Sequence, residues 1–131
     1  MKKIKKIEKV TSVYDTWKPS DIAFIKAIEW STNKLVINFY CQLRNRASGW
    51  PNLLADFFEI TITFKNVSNL KLDFNGSGLH QVSGFDILDL SDNGLERMNF
   101  QIEDYEDDSI NFSCEEIEIN EVANPEKIFI V

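Results

Sequence analysis

Histidine occurs once in this 131-residue chain, at His80, and cysteine only twice, at Cys41 and Cys114. There is no Cys-x-x-Cys, no His-Glu-x-x-His and no Gly-x-Ser-x-Gly. A zinc centre or a hydrolytic triad needs ligands or partners that the chain lacks, so His80 reads as a turn residue and the cysteines as core thiols. The turn Asn75-Gly76-Ser77-Gly78 lacks the lysine and helix of a phosphate-binding loop. With three prolines and five glycines the chain is no low-complexity linker, and no apolar run approaches the length of a membrane-spanning helix. The charged start, Met1 to Lys9, is followed by no apolar stretch or cleavage site, so a cytoplasmic location is expected, without a membrane partner. Lys2, Lys3, Lys5, Lys6 and Lys9 read as a solvated first strand or a frayed end. No cofactor is expected, and the chain reads as non-catalytic.

Basic residues are also missing from one half. Residues 86 to 121 carry thirteen acids against one base, Arg97. Residues 1 to 72 hold twelve Lys or Arg against six acids, whereas residues 73 to 131 hold two against fifteen. This asymmetry bears on association and solubility rather than on fold. Phosphate contacts need clustered Lys and Arg, so the acidic half excludes nucleic acid as its ligand.

What is present in quantity is apolar material, 44% of the chain with ten Phe and three Trp, enough for one domain spanning residues 1–131. Phe58 to Phe64 is apolar at every even position, the period of a half-buried strand. Leu35 to Leu43 repeats that rule with Val36 and Tyr40 on its second face, as if covered on both sides. Leu70, Leu72 and Phe74 predict a short strand that continues the meander through a bend at Lys65 to Asn69. Met98 to Glu103 should pair with Phe85 to Leu90 through a hairpin at Asp92-Asn93-Gly94. Ile28 and Trp30 end another strand, turning through Ser31 to Lys34 into Leu35. Phe112 and Cys114 are in one phase and Ile117 and Ile119 in the other, which predicts a β-bulge at Glu115 or Glu116. Short helical turns are expected after Pro19-Ser20-Asp21 and after Asn52. The fold class is therefore all-β, an antiparallel sandwich or partly closed barrel of seven to nine strands. Exposed edge strands leave an edge-paired dimer open.

Three surfaces are candidate sites. The first is an acidic strand face. Glu116 and Glu118 point outward if Ile117 and Ile119 face the core, Glu103 does the same nearby, and Tyr105 stands amid the acid as an interface anchor; together they suit a basic protein partner. The same charge serves solubility on a plain reading. The second is Asp104, Glu106, Asp107 and Asp108, either a solvated loop or the oxygen ligands of a calcium site, which would make the chain a Ca²⁺- or carbohydrate-binding module. The third is the loop with Arg44, Arg46 and Trp50, either a recognition surface or a tryptophan folded back over the sheet edge.

The run Phe58 to Val67, the segment Val82-Ser83-Gly84-Phe85-Asp86-Ile87 and the acidic strand Ile110 to Ile117 together resemble small bacterial all-β families of mostly unknown function that include polymorphic-toxin immunity proteins. The resemblance covers about residues 58 to 119 and implies a cytosolic antitoxin that blocks one toxin without turnover. Its acidic face would meet a basic nuclease cleft.

Overall fold

The computed structural model describes residues 4–46, 49–74, 79–91 and 98–123. The alternating segments become strands: β1 (Ile22–Ser31), β2 (Lys34–Cys41), β3 (Phe58–Lys65), β4 (Ser68–Leu72), β5 (His80–Gln81), β6 (Phe85–Asp89), β7 (Phe100–Asp104), β8 (Ile110–Cys114) and β9 (Glu116–Val122). They pair antiparallel into a five-stranded sheet, β5-β1-β2-β3-β9, and a four-stranded sheet, β4-β8-β7-β6. The apolar phase of most strands faces inward, with Trp30 of β1 and Leu72 of β4 left exposed. Phe39 meets Phe85 edge-on at 5.1 Å and Phe64 meets Phe112 at 5.0 Å, joining the two sheets through fully buried rings.

Among the described residues the named helical elements are α1 (Glu8–Thr11), which buries Val10, and two 3₁₀ turns at Pro19–Asp21 and Arg44–Arg46. The helical turn expected after Asp21 is instead the start of β1, because Ile22 to Ile25 are buried on both faces of the sheet. Asn52 does end in a turn, its Oδ1 accepting from Leu54 N–H at 3.1 Å. The hairpins β1–β2 and β6–β7 form in the expected pairings, while the Asp92-Asn93-Gly94 turn lies outside the described residues.

Two connections differ from the meander expected. β4 does not pair with β3; it crosses to β8, after Asn66 and Asn69 adopt positive φ of 54° and 56°. Asparagine tolerates that left-handed conformation, and its two occurrences redirect the chain between sheets. The phase slip near Glu115 is likewise a change of sheet. β8 ends in the four-stranded sheet and β9 begins in the five-stranded one, with Glu115 N–H donating to Lys65 O at 2.9 Å. The inward direction reverses when a chain turns the corner of a sandwich. A slip of one residue therefore returns both Phe112 and Ile117 to the same core.

The N-terminal lysines are not a frayed end where they are described. Lys5 docks parallel against β9, its N–H donating to Ile117 O at 2.8 Å and its carbonyl accepting from Ile119 N–H at 3.0 Å. This covers an edge that would otherwise be open to pairing. Cys41 and Cys114 are buried free thiols, and burial pushes the Cys114 thiol up to about 12.

Candidate partner-binding surface

The structure separates the acids that the sequence suggested as one patch. Glu116 and Glu118 lie on the outer face of the five-stranded sheet, where register sets them opposite Lys65 and Thr63. Lys5 Nζ stands 3.2 Å from Glu116, Lys6 Nζ 3.3 Å from Glu118, and Lys65 Nζ 3.9 and 3.6 Å from the two. The hydrogen bond from Lys6, with its charge, lowers the Glu118 pKa. Three lysines thus offset two carboxylates before any partner arrives.

Glu103 is on the outer face of the other sheet. Register sets it opposite Asp86 on β6 and opposite Asn111 on β8. Gln101 Nε2 donates to Asn111 at 2.6 Å and Ser113 Oγ to Gln101 at 3.0 Å, so this face is a polar ladder. Leu88 interrupts it, 40% exposed on the same side as Asp86. Among the described residues no Lys or Arg forms an ion pair with Asp86, Glu103, Glu106 or Asp107; Lys71, on the far strand, reaches Asp108 at 2.7 Å. Like charges directly opposite across a strand pair are unfavourable, and no Lys or Arg among the described residues offsets the Asp86–Glu103 pair.

The turn after β7 is not a plain solvated loop. Asp104 is buried, and its carboxylate accepts from Gly84 N–H at 3.2 Å, Glu106 N–H at 3.2 Å and Ser109 Oγ at 2.7 Å. A calcium ion would have to displace those donors, and Asp108 is already held by Lys71. No group of three or more potential metal ligands occurs among the described residues. Tyr105, next in the chain, is 59% exposed.

The third candidate folds inward. Trp50 Nε1 donates to Gln42 O at 2.7 Å, and the Arg44 guanidinium stacks on its ring at 3.6 Å. Arg44 also donates to Ser20 O at 2.7 Å and to Ser83 O at 2.6 Å, clamping three segments together. Arg46 belongs to the same 3₁₀ turn. Beside it opens a cleft of about 440 Å³ lined by Thr16, Lys18, Ser20, Asn45 and the acid Asp15. Its lining mixes both signs of charge and selects no ligand class.

A family model described as "Immunity protein PIM8" matches residues 5–120, from the Lys5 bridge through both sheets and into the acidic strand β9. The chain belongs to the PIM8 immunity-protein family. No curated protein and no solved structure matches it. Membership gives the PIM8 chain an immunity role, in keeping with a non-catalytic protein that has a cognate toxin as its partner.

One titrating group in this PIM8 protein has a predictable signature. His80 stacks on Phe74 at 4.2 Å, and its Nε2 is buried without a hydrogen-bond partner. Desolvation lowers its pKa, against the opposing pull of Asp104, Asp107 and Asp73. A histidine with a depressed folded pKa leaves stability intact above its ordinary value of 6.5 and loses it as pH falls from there through the folded pKa. The melting temperature should therefore decline as pH falls below about 6.5, and His80→Phe should flatten that decline. A decline unchanged in the variant would contradict the assignment.

Sequence reading missed Gly84, Lys5 and Lys6 as parts of these surfaces. The lysines carried a signal, because two adjacent bases are the complement of Glu116 and Glu118. Gly84 carried none beyond its place before Phe85.

Proposed function

We propose that this PIM8 protein neutralises a cognate toxin in the cytoplasm by covering a basic cleft with the outer face of its four-stranded sheet. The observation that carries the reading is the contrast between the two acidic surfaces. Asp86, Glu103, Glu106 and Asp107 have no ion pair among the described residues, whereas Lys5, Lys6 and Lys65 already offset Glu116 and Glu118. Uncompensated charge on a rigid sheet gains most from a basic partner and speeds encounter by steering. Glu116 and Glu118, on the outer face of the opposite sheet, lie away from that interface, and Arg44 and Trp50 support the scaffold.

The test is titration of the protein with the toxin domain encoded beside its gene, at about 50 and about 200 mM salt. Steered association should slow roughly tenfold over that range, because the Debye length shortens to about half. Salt-independent association would remove the electrostatic reading. A neighbourhood without a toxin, together with no binder from the same cell, would sink the antitoxin reading itself.

A further inference from the structure

An exposed tyrosine is ordinarily a mobile side chain, but Tyr105 is built in. Its N–H donates to Gly84 O at 2.9 Å, and the buried Asp104 carboxylate beside it binds Gly84 N–H in return. A Cβ added to Gly84 would lie 2.9 Å from both Cδ2 and Cε2 of the Tyr105 ring and 2.7 Å from Glu106 Cγ. Only a residue without a side chain lets the ring settle against the start of β6. The atoms that a Cβ would meet are side-chain atoms, so a larger residue at position 84 moves the ring instead of breaking the strand.

A ring fixed before docking loses little entropy on binding, and pre-set aromatics are where interface energy concentrates. Its setting also selects the partner. Glu103 stands two residues before it near the end of β7, and Glu106 and Asp107 follow it in the turn. A tyrosine face attracts a guanidinium or ammonium group, and flanking carboxylates strengthen that preference while repelling anions. We propose that Tyr105 is the anchor of the toxin interface, receiving an Arg or Lys side chain of the partner whose charge is completed by Glu103 and Asp107. Gly84 is the positioning residue that sets the ring. This inference rests on the antitoxin reading above.

The test measures the dissociation constant of the toxin domain encoded beside the gene against the wild-type protein and five variants: Tyr105→Ala, Tyr105→Phe, Gly84→Ala, Gly84→Ala combined with Tyr105→Ala, and Glu103→Gln/Asp107→Asn. Tyr105→Ala should weaken binding on the order of 30-fold, and Tyr105→Phe, which keeps the ring face, by no more than about threefold. Gly84→Ala should weaken binding about tenfold in the wild-type background and not at all once Tyr105 is alanine, because it acts through the ring. A Tyr105→Ala affinity within about threefold of wild type, with Glu103→Gln/Asp107→Asn still weakened, would overturn the anchor and leave the acidic face standing. Additive losses in the double variant would overturn the role of Gly84. A wild-type protein that does not bind the domain removes both readings.

Discussion

Asp104→Ala should lower the free energy of unfolding by about 3 kcal/mol, measured as a shift in the urea midpoint at unchanged slope. Asp104 is 1% exposed and its carboxylate serves four donors, Gly84 N–H, Glu106 N–H, Ser109 Oγ and, more distantly at 3.5 Å, Asp107 N–H. Removing it leaves the buried Gly84 N–H and Ser109 hydroxyl unpaired, and each such group costs about 1 to 2 kcal/mol; Glu106 N–H is nearer the surface and can turn to water. Asp104→Asn keeps one acceptor oxygen and should lose less. The effect extends to function, because the same carboxylate ties the turn that carries Tyr105 to the start of β6. A loss under about 0.5 kcal/mol for the alanine variant would mean that the turn does not depend on this residue.

Glu103→Lys/Asp107→Lys should weaken toxin binding on the order of 100-fold or more, with most of the loss in the association rate. Neither side chain has a hydrogen bond or ion pair among the described residues, so folding should survive and the melting temperature should change little. Each reversal removes an attraction to a basic cleft and adds a repulsion, and the two positions lie two residues either side of Tyr105 in the chain. Reversal at an ion-paired site is different in kind. There, a lysine would also confront the lysines that now hold the acid.

Much of the fold was legible because period-two alternation is a direct image of a two-faced sheet. Phe58 to Phe64 and Leu35 to Cys41 gave their strands, their inward faces and their neighbours along the hairpins. Alternation carries no information about which sheet a strand joins. The bend at Asn66 to Asn69 and the slip at Glu115 were both visible, and both were explained locally as a hairpin bend and a bulge, when each is a crossing between sheets. The outward direction of the acidic side chains was legible, and their grouping was not. Glu103, Glu116 and Glu118 all face outward as expected, but outward means opposite directions in the two layers of a sandwich. The pairing of Lys5 with Glu116 spans nearly the whole chain, and no local pattern announces such a contact.

In the proposed complex the acid of the four-stranded sheet, and not the lysine-paired acid of β9, meets the toxin. Stopped-flow association with the toxin domain tests it directly when Glu103→Gln/Asp107→Asn is compared with Glu116→Gln/Glu118→Gln, two variants that each remove two negative charges. Association should be roughly tenfold slower for the first pair and change by about twofold or less for the second. Slower association for the Glu116/Glu118 pair, with the Glu103/Asp107 pair unaffected, would contradict it and move the interface to the opposite sheet.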